Sequence, residues 1–113
     1  MKKLSVVLAI FLIFGITEVM AQKQAVVINI KTSAQCEMCK EAIEEAFAFE
    51  KGVISSELNE ETKIVEVKYN AKKTSPDKMR SALSKIGYDA DDVKADQKAY
   101  VKLPTCCKKP EDR

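Results

Sequence analysis

Histidine and tryptophan are both absent from this 113-residue chain. Without imidazole there is no Ser-His-Asp triad, no histidine acid or base and no histidine metal ligand. An excess of either charge is lacking too: 19 Lys and Arg oppose 17 Asp and Glu, for a formal charge of +2. That balance leaves no basic footprint for sequence-independent binding of nucleic acid. The length for a second core is missing, yet with 46% apolar residues the chain is not disordered by composition. The distinctive chemistry that remains is four thiols: Cys36, Cys39, Cys106 and Cys107.

The first residues read as an address. Lys2 and Lys3 precede an apolar run from Leu4 to Ile16, and small residues sit before a cut after Ala21. This is the pattern of a secretory signal peptide over residues 1–21, and the run is short of the ~20 apolar residues that cross a bilayer. A buried helix of the mature fold would carry a polar stripe, which this run lacks. Cleavage would remove Lys2, Lys3 and Glu18, lowering the net charge by one. The residue then exposed is Gln22, not Cys, so no lipid anchor is indicated. The expectation is a periplasmic protein, in a compartment where disulfides form.

Beyond the leader, the hydrophobic period changes along the chain. Residues 25–32 alternate, placing Ile28, Ile30 and Thr32 on one face with Ala34 in phase, which predicts a strand. From Cys36 to Lys51 the apolar residues recur at three and four, through Cys39, Ile43 and Phe47, predicting an amphipathic helix stopped by Gly52. Two strands follow, Val53 to Asn59 with Ile54, Ser56 and Leu58 facing inward, and Lys63 to Tyr69 with Val65, Val67 and Tyr69 inward; a polar link makes them a hairpin. Ser75-Pro76-Asp77 opens a second helix carrying Met79, Ala82, Leu83 and Ile86, closed by Gly87. A last strand is expected near Asp89 to Val93, and Tyr100 to Leu103 would extend a sheet edge up to Pro104. The order βαββαβ predicts an α+β, ferredoxin-like sandwich over residues 22–94: a four-stranded antiparallel sheet with two helices on one face. Residues 95–113 form a C-terminal extension bearing the Cys-Cys pair.

Cys36 and Cys39 fall where the first strand gives way to the first helix. Free N–H groups and the positive helix end stabilise a thiolate there. Two thiolates three residues apart can grip one soft ion, Cu(I) or Hg(II), whereas Zn(II) wants further ligands. A shallow site of few ligands is open to an incoming thiolate, which suits transfer rather than storage.

With topology and motif together, the chain resembles the heavy-metal-associated domain family, which includes copper chaperones, N-terminal domains of metal-exporting ATPases and periplasmic mercury-binding proteins. The resemblance spans about Val26 to Val93. The family's loop, Gly-Met-x-Cys-x-x-Cys, reads here Ser33-Ala34-Gln35-Cys36-Glu37-Met38-Cys39, with Ala34 in place of the Met. The resemblance implies that Cys36 and Cys39 are the metal ligands. Gly87-Tyr88 is similar to a Gly-Tyr of bacterial members, which implies that Tyr88 lies beside the metal loop and shields it from water. It further implies a monomeric, non-enzymatic carrier whose partners are a metal-exporting ATPase, a membrane metal transporter or another thiol-bearing acceptor, with no nucleic acid.

Blander readings stand beside these. The Cys-x-x-Cys pair is also the equipment of a periplasmic thiol-disulfide oxidoreductase, although the element order is not thioredoxin-like and Gly-Pro is missing between the thiols. Met38 is a soft thioether or simply a flexible apolar side chain, and Lys40 favours a thiolate or is solvated. Cys106 and Cys107 leave three alternatives: joining Cys36 and Cys39 around an ion, acting as a flexible arm, or pairing oxidatively with the loop. A zinc ribbon fits poorly, since no residue separates the second pair.

Overall fold

The computed structural model describes residues 25–113. The expected signal peptide lies outside the described residues. Among the described residues, three strands form one antiparallel sheet: β1 (Ala25–Lys31), β2 (Val53–Leu58) and β3 (Ile64–Asn70), in the order β1-β3-β2. The central strand β3 carries the cleanest alternation, and Val65, Val67 and Tyr69 are all buried. Across from them on β1, Val65 pairs with Ile30 and Val67 with Ile28.

Helices α1 (Glu37–Phe49) and α2 (Pro76–Lys85) lie on the same sheet face. Cys39, Ile43 and Phe47 of α1 and Met79 and Leu83 of α2 share one core with Ile30, Val65, Val67 and Tyr69. The helix starts follow their sequence signals. Ser75 Oγ accepts from the Lys78 N–H at 3.3 Å and Pro76 occupies the first turn of α2. Gly52, at φ +89, turns the chain into β2 where a Cβ would sit 2.9 Å from Lys73 Cβ.

Three expectations are corrected. In β2 the inward set is Val53, Ser56 and Leu58, not Ile54, Ser56 and Leu58. A bulge between Val53 and Ser55 inserts one residue and shifts the phase, leaving Ile54 56% exposed. The fourth strand at Asp89–Val93 is reduced to isolated bridges, Thr32 with Ala90 and Ala90 with Val93. The reason is local: Asp91, at φ +52, uses its own carboxylate to accept the Lys31 N–H at 2.9 Å, and its N–H donates to the Lys31 carbonyl. Asp91 also binds Arg80 Nε at 2.8 Å, so the chain turns away after one residue of pairing.

The stretch Tyr100 to Leu103 likewise forms no edge strand; it continues a short helix, α3 (Gln97–Tyr100), into a turn. Ser84 Oγ donates to the Lys94 carbonyl at 2.7 Å, and the Asp96 N–H donates to the Ser84 carbonyl at 3.0 Å. These bonds lead the chain across the end of α2 and away from the sheet edge. Leu103 then packs on the core, and Thr105–Cys107 forms a 3-10 turn that buries Cys107 to 3% exposure.

Candidate metal centre

The loop between β1 and α1 is held by its own small polar residues. Thr32 Oγ1 donates to the Lys63 carbonyl at 2.8 Å and accepts the Ala34 N–H at 3.2 Å. Ser33 Oγ accepts the Asp89 N–H at 2.9 Å, tying the loop to the segment after α2. Ala34 is buried beneath it, at 2% exposure.

Cys36 takes an extended conformation as the N-cap of α1, and its carbonyl accepts from Cys39 and Lys40. One helical turn separates the two thiols, which brings Cys36 Sγ to 3.4 Å from Cys39 Sγ. They differ in access: Cys39 is wholly buried and Cys36 half-buried. Lys40 is turned aside, its Nζ bonded to the Leu58 carbonyl at 3.1 Å and paired with Glu44 at 3.3 Å.

The C-terminal thiols join this pair. Cys106 Sγ lies 3.4 Å and Cys107 Sγ 3.7 Å from Cys36 Sγ, and the three sulfurs are all within 4.8 Å of one another. All four cysteines are free thiols. In the structure the extension is folded back onto the loop, with both of its thiols beside Cys36. Met38 Sδ is 3.6 Å from Cys106 Sγ at the outer rim. Tyr88, 1% exposed, sits on the inner side against Cys107 and Cys39.

The thiols are electrostatically unequal. Burial pushes Cys36 up, but the Cys39 amide and the thiols of Cys106, Cys39 and Cys107 outweigh it and bring Cys36 down to about 7. Cys107 is pushed well up by burial and by Cys39. Cys106 is raised by its bond to Cys36 and by burial. Burial, with Cys107 and Cys39 adding to it, also holds the Tyr88 phenol far above its ordinary range, so it stays neutral.

No motif marks the residues that seat and brace the extension. Lys109 Nζ pairs with Asp89 at 2.7 Å, and the Lys109 N–H donates to Tyr100 Oη at 2.9 Å. Tyr100 Oη donates to Asp112 at 2.6 Å, while Arg113 Nη2 donates to the Cys106 carbonyl at 3.2 Å. Each is a pairing between residues that look like ordinary surface polar groups, and only the fold brings them together.

A ferredoxin-like α+β domain with thiols at the mouth of its first helix defines the class. The heavy-metal-associated domain family matches residues 31–89, and the chain belongs to that family. The match includes Cys36 and Cys39 and ends before Cys106. The copper chaperone CopZ of Staphylococcus epidermidis, in two strains, is 41% identical over 54 residues, covering 48% of this chain and 79% of the relative. A solved CopZ metallochaperone is 30% identical with a TM-score of 0.55, covering 57% of this chain and 98% of its own. Oxidized MerP from Ralstonia metallidurans CH34 shares the fold at 22% identity and a TM-score of 0.57, covering 59% of this chain and 94% of its own.

Proposed function

We propose that the protein is an exported carrier for a soft metal ion, Cu(I) or Hg(II), which Cys36 and Cys39 capture and pass on by ligand exchange. The observation that carries this reading is the 3.4 Å approach of a half-exposed thiol and a buried one at the open end of a helix. Soft sulfur at that spacing favours soft ions, and the helix end favours the thiolate. Kinship with CopZ supports copper as the cargo. Capture forms metal–sulfur bonds as the thiol protons leave to water. Transfer reverses this: an acceptor thiolate bonds to the ion, and the released cysteine takes up a proton. The acceptor is a metal-exporting ATPase, a membrane metal transporter or another thiol-bearing protein. The signal-peptide pattern of residues 1–21 supports a periplasmic location for the carrier, which cell fractionation and N-terminal sequencing of the mature protein test.

The carrier reading is tested by mixing the Cu(I)-loaded, reduced protein with a metal-free two-thiol acceptor domain and following the ion by native mass spectrometry. Movement of the ion without any change in thiol count is expected. The low-lying Cys36 thiol also suits a thiol-disulfide oxidoreductase. If insulin disulfides are reduced at a rate indifferent to copper, and no ion is held, the carrier reading is wrong.

A further inference from the structure

We propose that Cys106 and Cys107 complete the metal site, so that the bound ion is held by at least three sulfurs, not by the Cys36–Cys39 pair alone. The inference rests on the carrier reading and extends it to residues beyond the family match. Cys36 is its hub, with thiols at 3.4, 3.4 and 3.7 Å from Cys39, Cys106 and Cys107.

Those separations discriminate between coordination shells. With metal–sulfur bonds of about 2.3 Å, sulfurs stand about 4.6 Å apart across a linear ion, about 4.0 Å around a trigonal one and about 3.8 Å around a tetrahedral one. The three spacings from Cys36 lie nearer the trigonal and tetrahedral values than the linear one. Three of these sulfurs, from Cys36, Cys106 and Cys107, are mutually within 4.8 Å.

The extension is also built to stay. Pro104 precedes the 3-10 turn, Leu103 and Cys107 pack on the core, the Lys109–Asp89 ion pair ties the segment to the domain, and the Tyr100–Asp112 and Arg113–Cys106 bonds brace the segment within itself. Ligands ordered before the ion arrives add affinity without a further ordering cost. The ligand class is a soft, thiophilic ion.

Competition titration and X-ray absorption test this under anaerobic conditions, on the reduced protein, with Cu(I), Hg(II) and Zn(II) in parallel. Wild type is compared with Cys106→Ser/Cys107→Ser and with Cys106→Ser alone, the half-exposed position, which keeps the test clear of misfolding. Asp89→Asn, which frees Lys109 without removing a thiol, reports on the fastening, and circular dichroism checks each fold. For at least one ion, the double variant is expected to lose about a hundredfold in affinity, the scale of a tethered ligand. For that ion the shell falls from three or more sulfurs to two, and Asp89→Asn weakens binding by a smaller factor. Equal affinity and a two-sulfur shell in wild type and double variant, for all three ions, overturn the assignment of the tail while leaving the carrier reading intact. Failure of wild type to bind any of the three overturns both.

Discussion

Cys36 is the residue at which the chemistry concentrates: it caps α1, touches the other three thiols and carries the lowered pKa. A thiol reacts as its thiolate, so alkylation of Cys36 in the metal-free protein should rise with pH through about 7. Cys106 and Cys107, whose thiols are raised, should label only at higher pH, and peptide mapping by mass spectrometry reads the order. Asp91 gives a second pH prediction. Burial opposes its ionisation, but Arg80 and the Lys31 N–H hold its carboxyl below the ordinary range. Its folded-state value is therefore the lower one, so its stabilisation is complete above about pH 4 and is lost as pH falls through the folded value. Asp91→Asn should cost about 1 kcal/mol at pH 7 and nothing at strongly acid pH, as read by urea unfolding at each pH.

At the scale of elements, β2 separates what a periodic pattern carries from what it does not. The bulge places Ile54 outward and Leu58 inward, at 56% and 2% exposure. Ile54→Ser should therefore change stability by less than about 0.5 kcal/mol, while Leu58→Ala should cost about 2–5 kcal/mol in the same denaturant melt. The periodicity of β1, α1, β3 and α2 was legible because each buries one face, and burial enforces period. Ser75-Pro76 and Gly52 were legible as stops and starts because their backbone chemistry is local. The bulge was not, since one inserted residue leaves no mark in a run already broken by serines. Nor was the loss of the fourth strand, which turns on Asp91 competing with the ladder for the Lys31 N–H. Of the site, Cys36 and Cys39 could be read from their spacing at a strand-to-helix junction. The seating of Cys106 and Cys107 could not be, because it depends on Lys109 meeting Asp89 of the domain and on Tyr100 and Arg113 bonding within the extension.

At the scale of the molecule, the extension and the domain share one core, and at Gly87 the two approach closely. It lies at φ +101, and a Cβ there would meet the Ala99 backbone at 3.1 Å and Leu103 Cγ at 3.2 Å. Gly87→Ala should strain the turn and push residues 95–113 off α2, seen as faster amide exchange in that segment ahead of the sheet. The central claim remains that the reduced molecule grips a soft cation through the thiols at the head of α1. Titration of Cu(I) against a chromophoric chelator tests it most directly. One equivalent should be taken by wild type and none by Cys36→Ser/Cys39→Ser with its fold intact; equal uptake by the two proteins, or none by either, would contradict the account.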